Sequence, residues 1–389
     1  MADTNNSFVI PNAMIHVIDP ERDNTFRALA ATSGYLKAQS RNKILLKCTQ
    51  CETEMEKPRK CSKCRSVLYC STECQKKNWP THKRICHEVE HSSGVLKLVR
   101  MFSVNPLLMM YLKVAIVLDC NLLNNPRIGF EVPFVAHVDI ALEPSDIFDF
   151  VGLYFDDKVV RDKLQGMVQV NAMTPWYTGM QGARPLTPQR MNQWREVRAR
   201  HNADGYTKDP VGLLDFSSAG ISRNDRRVTY AVSVGCHISP VILEMAMERE
   251  PFVRVCPLAG TRFKQPMNAE TCLEYINIHI RADTQNQLRL RTEMTEQDKE
   301  VIQAAGRDED EVSAHVLKEK MEREIMYNNI VRQGKGARGP DSETPRARQR
   351  MRPRRSPCPC CGTWGCKGLA APIAQPKVRL CMWDCKKGE

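Results

Sequence analysis

The strongest constraint in this sequence is a cluster of seven cysteines and one histidine within residues 48–86. The eight side chains come as four short-spaced pairs, in the strings CTQC, CSKC, CSTEC and HKRIC, which supply Cys48, Cys51, Cys61, Cys64, Cys70, Cys74, His82 and Cys86. A structural zinc ion takes four tetrahedral ligands, mainly of these two residue types, and a short-spaced pair supplies two of them together. Eight potential ligands therefore predict two zinc ions.

The segment that carries the four pairs is too short to fold on an apolar core of its own. It spans 39 residues, and domains below about 40 residues usually need disulfides or metal ions. Each structural zinc ion adds on the order of 10 kcal/mol of folding free energy in small zinc modules. Two ions would therefore make the segment stable, although the spacing alone does not show which pairs share an ion.

The complete spacing resembles the MYND zinc finger. It is written CxxC-x9-CxxC-x5-CxxxCQxxxWxxHxxxC, and Tyr69 stands directly before the third pair. The resemblance covers about a tenth of the chain and implies a cross-brace, in which the first pair shares an ion with the third and the second with the fourth. It thus assigns one ion to Cys48, Cys51, Cys70 and Cys74. It assigns the other to Cys61, Cys64, His82 and Cys86.

MYND fingers act as protein-interaction modules for short proline-containing peptides, so the resemblance implies a partner of that kind. It also implies that Gln75 and Trp79 line the peptide groove, and an indole does offer a flat apolar face to proline rings. The alternatives are that Trp79 packs inside the finger and that Gln75 is a solvated helix position. Sites with four protein ligands have no open position for water, so both ions are predicted to be structural.

Local signals predict two short helices at the end of the finger. Ser71 is placed to cap a helix that contains Cys74 and Gln75. Pro80 is suited to the first position of a second helix, which would bring His82 and Cys86 to one side.

The sequence favours a non-enzymatic chain. Some MYND fingers belong to SET-domain lysine methyltransferases, but the Asn-His-Ser-Cys motif of those enzymes is missing, and neither a P-loop nor a GxSxG string occurs. Isolated histidines such as His201, His237 and His279 are predicted to be structural. An enzyme of unknown class in residues 95–330 stays open as an alternative.

Beyond the finger, residues 95–292 are predicted to form an α+β domain of unknown function. Alternating apolar residues predict strands from Gly129 onward, over 211–216 and over 228–235. Helical periodicity predicts helices over 95–123 with a break at Pro106, and over 157–168, 188–200, 240–248 and 269–290.

Shorter segments flank these two domains. Residues 1–47 form an N-terminal lead-in with one helix over about 25–39. Residues 293–331 form a helical extension, in which one helix runs from a Thr295 cap to Ala305 and a second begins in the acidic residues 308–311.

Residues 332–389 are predicted to be a disordered, Arg-rich tail. Its string RARQRMRPRR would suit nuclear import or nucleic-acid binding, and its six cysteines allow either another metal site or free thiols. The net charge of +12 is concentrated here and in the finger, and seven thiolates with two zinc ions would lower the positive charge of the finger. A DNA-binding finger is therefore disfavoured.

Taken together, the sequence predicts a zinc-binding adaptor that recruits a proline-containing partner peptide, with transcriptional regulation as one process that such recruitment would serve. The alternative is a nucleic-acid-associated regulator that acts through the tail. The longest strongly apolar run, residues 107–118, is too short for a bilayer, and no secretory signal is visible, so we expect an intracellular protein without membrane contact.

Overall fold

The computed structural model of this chain describes residues 29, 31–42, 46–51, 53–55, 59–62, 67–83, 86, 92–155, 163–218, 230–255, 261–327 and 330. Several sequence predictions lie wholly or partly outside these residues: the start of the lead-in, the ligand Cys64, residues 157–162 of a predicted helix, residues 228 and 229 of a predicted strand, and the entire tail 332–389.

The N-terminal part of the chain consists of short elements. They are α1 (Ser33–Asn42), β1 (Leu46–Lys47), β2 (Glu54–Met55), β3 (Arg59–Lys60), β4 (Leu68–Tyr69) and α2 (Thr72–His82). The prediction of one continuous helix over 25–39 is wrong at residues 31 and 32, which are not helical. The reason is a local cap, since Thr32 Oγ1 accepts a hydrogen bond from Tyr35 N (3.2 Å) at the start of α1.

The larger domain mixes helices and strands, which confirms the predicted α+β class. Its first elements are α3 (Ser92–Ser103), α4 (Pro106–Asp119), β5 (Phe134–Pro144), α5 (Ile147–Tyr154), β6 (Gln165–Tyr177), α6 (Pro188–Ala203), β7 (Val211–Ser218) and β8 (Tyr230–His237). They are followed by α7 (Pro240–Glu248), β9 (Phe252–Val255), β10 (Arg262–Gln265), α8 (Ala269–Ala282), β11 (Arg291–Glu293), α9 (Glu296–Gly306), α10 (Val312–Arg323) and a 3₁₀ turn (Ile325–Tyr327). In these residues no helix is long and apolar enough to cross a membrane.

Strands β11, β6, β5, β7 and β8 form the main sheet, in that order. Strand β5 is antiparallel to β6 and parallel to β7, while β7 and β8 are antiparallel. The predicted strand from Gly129 begins only at Phe134, because Gly129 has a positive φ and its amide donates to Val132 O (2.7 Å) in a turn. A Cβ on Gly129 would lie 2.6 Å from the Pro210 side chain, so this turn requires glycine.

The predicted helix over 157–168 is wrong in its last four residues, which begin the thirteen-residue strand β6. All six residues from 166 to 171 are buried, so this part of the strand is covered on both faces. A strand covered on both faces lacks the alternation that marks a half-exposed strand. This one buries Gln169 and Asn171 among its apolar residues, so periodicity does not distinguish it from a helix.

Helices cover both faces of β5. Phe134, Ala136 and Val138 belong to the main apolar core together with residues of α4 and α8. On the opposite face Val135 packs with Leu213 and with Trp194 of α6, whose indole Nε1 donates to Val211 O (2.8 Å). The sheet is therefore the middle layer of this part of the domain.

Two helix boundaries of the larger domain lie where the sequence predicted them. Asn105 Oδ1 accepts from Leu108 N (3.1 Å), so α4 begins at Pro106, where the break was predicted. Thr295 and Asp298 form a capping box at the start of α9. That helix ends at Gly306, where a Cβ would lie 1.7 Å from Tyr154 O, so any other residue would push α9 away from α5.

A cluster of buried charges joins β5, α8 and α10. Lys320 and Tyr327 both donate to Glu143, and Arg281 donates to Glu324 (2.7 Å) and to Tyr327 (2.9 Å). Burial lowers the pKa of Lys320, although the nearby charge of Glu143 opposes that change. For Glu324, burial alone would raise the pKa, but the charges of Arg281 and Lys320 bring it below the ordinary value. Two acids thus balance two bases inside the domain.

We expect the change Glu143→Ala to lower the free energy of unfolding by about 3–5 kcal/mol, because it leaves the Lys320 ammonium buried without its nearest carboxylate. The matched control is Glu131→Ala, which breaks the exposed pair with Arg127 (2.6 Å) and should cost less than about 1 kcal/mol. Urea unfolding followed by circular dichroism measures both changes. Equal losses would show that the buried pair contributes no more than a surface pair.

Candidate metal centre

Backbone hydrogen bonds hold the first cysteine of each CxxC pair. Cys48 N donates to Thr53 O (2.9 Å), and Cys61 N donates to Val67 O (3.0 Å). The antiparallel pairs β1–β2 and β3–β4 flank these turns, and Thr49 N donates to Leu68 O (2.9 Å) between the two hairpins. The small hairpins therefore bring the first pair and Cys61 close to β4, which directly precedes Cys70.

The first group of potential ligands is Cys48, Cys51, Cys70 and Cys74, whose sulfurs all lie within 4.8 Å of one another. Cys70 Sγ lies 3.5 Å from Cys51 Sγ and 3.4 Å from Cys74 Sγ. Four sulfurs about 2.3 Å from one zinc ion stand about 3.8 Å apart at the corners of a tetrahedron. The group therefore has the composition and the size of a zinc site with four cysteine ligands.

The second group is Cys61, His82 and Cys86, again with ligand atoms within 4.8 Å of one another. Cys61 Sγ lies 3.4 Å from His82 Nε2 and 3.8 Å from Cys86 Sγ. These distances also fit the edges of a zinc tetrahedron. The predicted fourth ligand, Cys64, lies outside the described residues. Together the two groups are consistent with two zinc sites, and their described members are grouped in the interleaved order that the resemblance implied.

Helix α2 contributes one ligand to each group. Ser71 caps it as predicted, since its side chain accepts from Cys74 N (3.2 Å). The prediction of two helices meeting at Pro80 is wrong, because α2 continues through Pro80 to His82, and Cys86 lies beyond it. Proline removes its own N–H from the ladder, but Lys83 N still donates to Trp79 O (2.7 Å) across it, so the helix continues.

The thiols of the first group do not ionise alike. Hydrogen bonds with the side chain and backbone of Thr53 lower the pKa of Cys51 to about 6. Contacts with Cys74 and then Cys51 raise the pKa of Cys70 to about 12. A zinc ion binds thiolates only, so binding to this group must release protons.

The two predicted partner-binding residues lie on α2. Trp79 is 39% exposed, and its ring stands edge-on to the His82 ring with 5.9 Å between centroids. The indole thus contacts a ligand of the second group and still presents a surface to solvent, so the two roles weighed for it are compatible. Gln75 is half-buried. Their role in peptide binding stays a prediction.

A polar cluster in the larger domain was not anticipated from the sequence. His137, Asp215 and Ser233 are directly paired across β5, β7 and β8, and Arg190 of α6 donates to both oxygens of Asp215 (2.7 and 2.6 Å). Ser233 Oγ also donates to Asp215 (2.7 Å). Strand register brings these residues together, and register could not be read from the sequence. The carboxylate is already neutralised by Arg190.

Two histidines that were predicted to be isolated also meet. The rings of His201 and His237 stand edge-on with 5.1 Å between centroids, and Tyr206 stacks on His237 at 4.1 Å. Burial lowers the pKa of His201, which favours its neutral form. This arrangement is that of packed structural histidines.

The sequence also contains two strings with the spacing of catalytic or cofactor-binding motifs, which bear on the prediction of a non-enzymatic chain. HEVEH at 87–91 has the HExxH spacing of zinc hydrolases, and GKGARG at 334–339 has the GxGxxG spacing of dinucleotide-binding loops. Both lie outside the described residues. The first signature requires a helix and the second a strand-to-helix turn, so neither string alone assigns an activity.

Two family models match the chain. Residues 48–86 match the MYND finger, which is a protein-interaction domain, and residues 90–328 match a domain of unknown function, DUF8205. No solved structure matches the chain.

Curated relatives match mainly the finger. The chain is 54% identical over 39 residues to histone-lysine N-methyltransferase SMYD3 of Homo sapiens, which is 10% of this chain and 9% of that protein. It is 41% identical over 61 residues to SET domain-containing protein 14 of Caenorhabditis elegans, or 16% and 14% of the two chains. It is 46% identical over 39 residues to zinc finger MYND domain-containing protein 10 homolog of Drosophila melanogaster, or 10% and 8%. The chain thus spans a small part of each relative.

We expect the change Cys61→Ser to release at least one zinc ion from the purified chain, because the second site would keep too few donors to hold its ion. Zinc per chain is measured by elemental mass spectrometry after gel filtration. The matched control is Cys272→Ser, which alters a buried thiol of α8 that belongs to neither group and should leave the zinc content unchanged. A folded Cys61→Ser finger that retains both ions would contradict the ligand assignment.

Proposed function

Because the chain belongs to the DUF8205 family and carries a MYND finger ahead of that domain, we propose that it is a zinc-dependent adaptor whose finger binds a proline-containing peptide of a partner protein. The observation that carries this proposal is the exposed indole of Trp79 on a helix that contributes a ligand to each zinc group. In the proposal, Cys64 completes the second site with Cys61, His82 and Cys86.

The spacing of the two partner-binding residues supports an extended peptide. Gln75 and Trp79 are four positions apart on α2, so they lie on the same side of the helix about 6 Å apart. Two residues of a polyproline II peptide span about 6 Å, at roughly 3.1 Å per residue. A proline ring can therefore stack on the indole while the Gln75 amide bonds to the peptide backbone one step along.

The small size of the binding surface also favours a proline-rich peptide as the partner. A proline-rich segment is already extended before it binds, so little conformational entropy is lost on binding. Among the described residues of the finger, Trp79 is the one large hydrophobic side chain that is exposed, so the surface is of limited area. A preformed peptide is the class of partner that such a surface can hold with useful affinity.

The two alternative functions, an enzyme and a nucleic-acid-associated regulator, have no comparable observation in the described residues to support them. Similarity to methyltransferases is confined to the finger region, so it brings no catalytic residue to residues 90–328. The Arg-rich tail that would bind nucleic acid lies outside the described residues. The larger domain is proposed to provide the second surface of the adaptor.

We expect the change Trp79→Ala to weaken peptide binding at least about tenfold, because a buried aromatic anchor dominates small interfaces. An array of synthetic proline-containing peptides identifies the best binder of the full chain, and fluorescence anisotropy then gives its affinity for each variant. Zinc content must remain that of the unmodified chain, since Trp79 also contacts His82.

Two matched variants complete this test. Trp79→Phe retains an aromatic face and should keep part of the affinity. Lys77→Ala changes an exposed residue of the same helix and should leave the affinity unchanged. An array without any binder, or equal affinity of Trp79→Ala and the unmodified chain, would contradict the proposed peptide site.

A further inference from the structure

The two zinc groups differ in their access to solvent. In the first group Cys51 and Cys70 are exposed, Cys74 is half-buried and Cys48 is buried. In the second group, by contrast, Cys61, His82 and Cys86 are 1%, 3% and 7% exposed. A reagent in solution can therefore reach sulfurs of the first group without any opening of the finger.

The fold explains this difference. Cys61 and Cys86 pack with Cys48 and the fully buried Tyr69 in the small apolar cluster of the finger, against the partly buried Met55 and Val67. Tyr69 is fixed by a hydrogen bond from its hydroxyl to Asn78 Oδ1 (2.9 Å) of α2. Cys51 lies in the turn after Cys48, and Cys70 lies in the bend between β4 and the Ser71 cap, so both are on the rim of this cluster.

The two exposed sulfurs are also neighbours. Cys51 Sγ and Cys70 Sγ lie 3.5 Å apart, and the two residues are 19 positions apart in the chain. A disulfide requires about 2.05 Å between sulfurs, so the pair needs to close by about 1.5 Å. Because both residues are in a turn or a bend and not inside a helix, such a movement does not have to break α2.

We propose that Cys51 and Cys70 are the oxidation site of the finger, at which a hydroperoxide forms a disulfide and the first site loses its zinc ion while the second retains it. With hydrogen peroxide as the hydroperoxide, one thiolate attacks a peroxide oxygen, so an S–O bond forms, the O–O bond breaks and hydroxide leaves. The other thiolate then attacks that sulfur, so the S–S bond forms and a second hydroxide leaves. The two sulfurs together give two electrons to the peroxide.

Oxidation would therefore remove one zinc ion from the finger and leave the other in place. After oxidation the first group retains only Cys48 and Cys74 as donors, which are too few for a zinc site. The second group keeps all of its described donors, including His82 at the end of α2. Thiol reduction would restore the original ligands, so the change is reversible. This inference is independent of peptide binding, because it concerns only sulfur reactivity and zinc content.

The experiment uses the zinc-loaded full chain and hydrogen peroxide at increasing dose. A chromogenic chelator measures released zinc, and free thiols are alkylated before peptide mass mapping. We expect the first equivalent of zinc to leave together with a Cys51–Cys70 disulfide, which is two hydrogens lighter than the two thiols. At that dose Cys61 and Cys86 should remain fully alkylatable after denaturation, and oxidation of other cysteines should not account for the zinc.

Cys48 provides an internal control, because it belongs to the same group and the same CxxC turn as Cys51 but is 1% exposed. With N-ethylmaleimide, which needs no disulfide partner, we expect Cys51 and Cys70 to react before Cys48 by at least about tenfold in rate. Loss of Cys61 or Cys86 at the same rate as Cys51, or zinc release before Cys51 and Cys70 are oxidised, would overturn the proposal. A Cys70–Cys74 disulfide in place of Cys51–Cys70 would overturn the assignment of the pair.

Discussion

Coordination of zinc by thiolates is the interaction on which the finger depends. Its apolar cluster contains four buried side chains among the described residues, and three of these are themselves cysteines of the two groups. Tyr69 is the exception, and one tyrosine cannot offset the conformational entropy of 39 residues at about 1–2 kcal/mol each. Metal binding therefore supplies most of the favourable free energy, and folding and zinc loading of the finger are one process.

The larger domain offsets its conformational entropy by burying apolar side chains and hydrogen-bonded polar groups. Its apolar core is extensive, and several of the polar side chains that it buries are hydrogen-bonded within the domain. Asn277 of α8 is an example, because its amide accepts from Val170 N (2.7 Å) and donates to Val170 O (2.8 Å). Asn277 thus pairs with a backbone N–H and C=O of β6 next to a β-bulge, which lies opposite Asp139 and Ile140. The charge cluster around Glu143 extends this network to α10, so residues beyond the sheet belong to its interior.

The parts that could be predicted from the sequence are those encoded by neighbouring residues. Ligand spacing within each pair, the Ser71 and Thr295 caps and the start of α4 at Pro106 all depend on residues within a few positions of one another. The parts that could not be predicted depend on distant contacts. The first four residues of β6 were predicted as the end of a helix, because this part of the strand is covered on both faces. The row of His137, Asp215 and Ser233 exists only through strand register. The interleaving of the zinc pairs came from resemblance and not from spacing, since any combination of four pairs satisfies the same ligand count.

Helix α2 connects the chemistry of the finger to its surface. Cys74 near its start belongs to one zinc group, and His82 at its end belongs to the other. Gln75 and Trp79 lie between these two anchors, so the orientation of their side chains is set by both sites. The Ser71 cap holds the start of α2, and Trp79 contacts His82 at its end. The helix that carries the proposed peptide-binding residues is therefore tied to both groups of ligands, so its position depends on both.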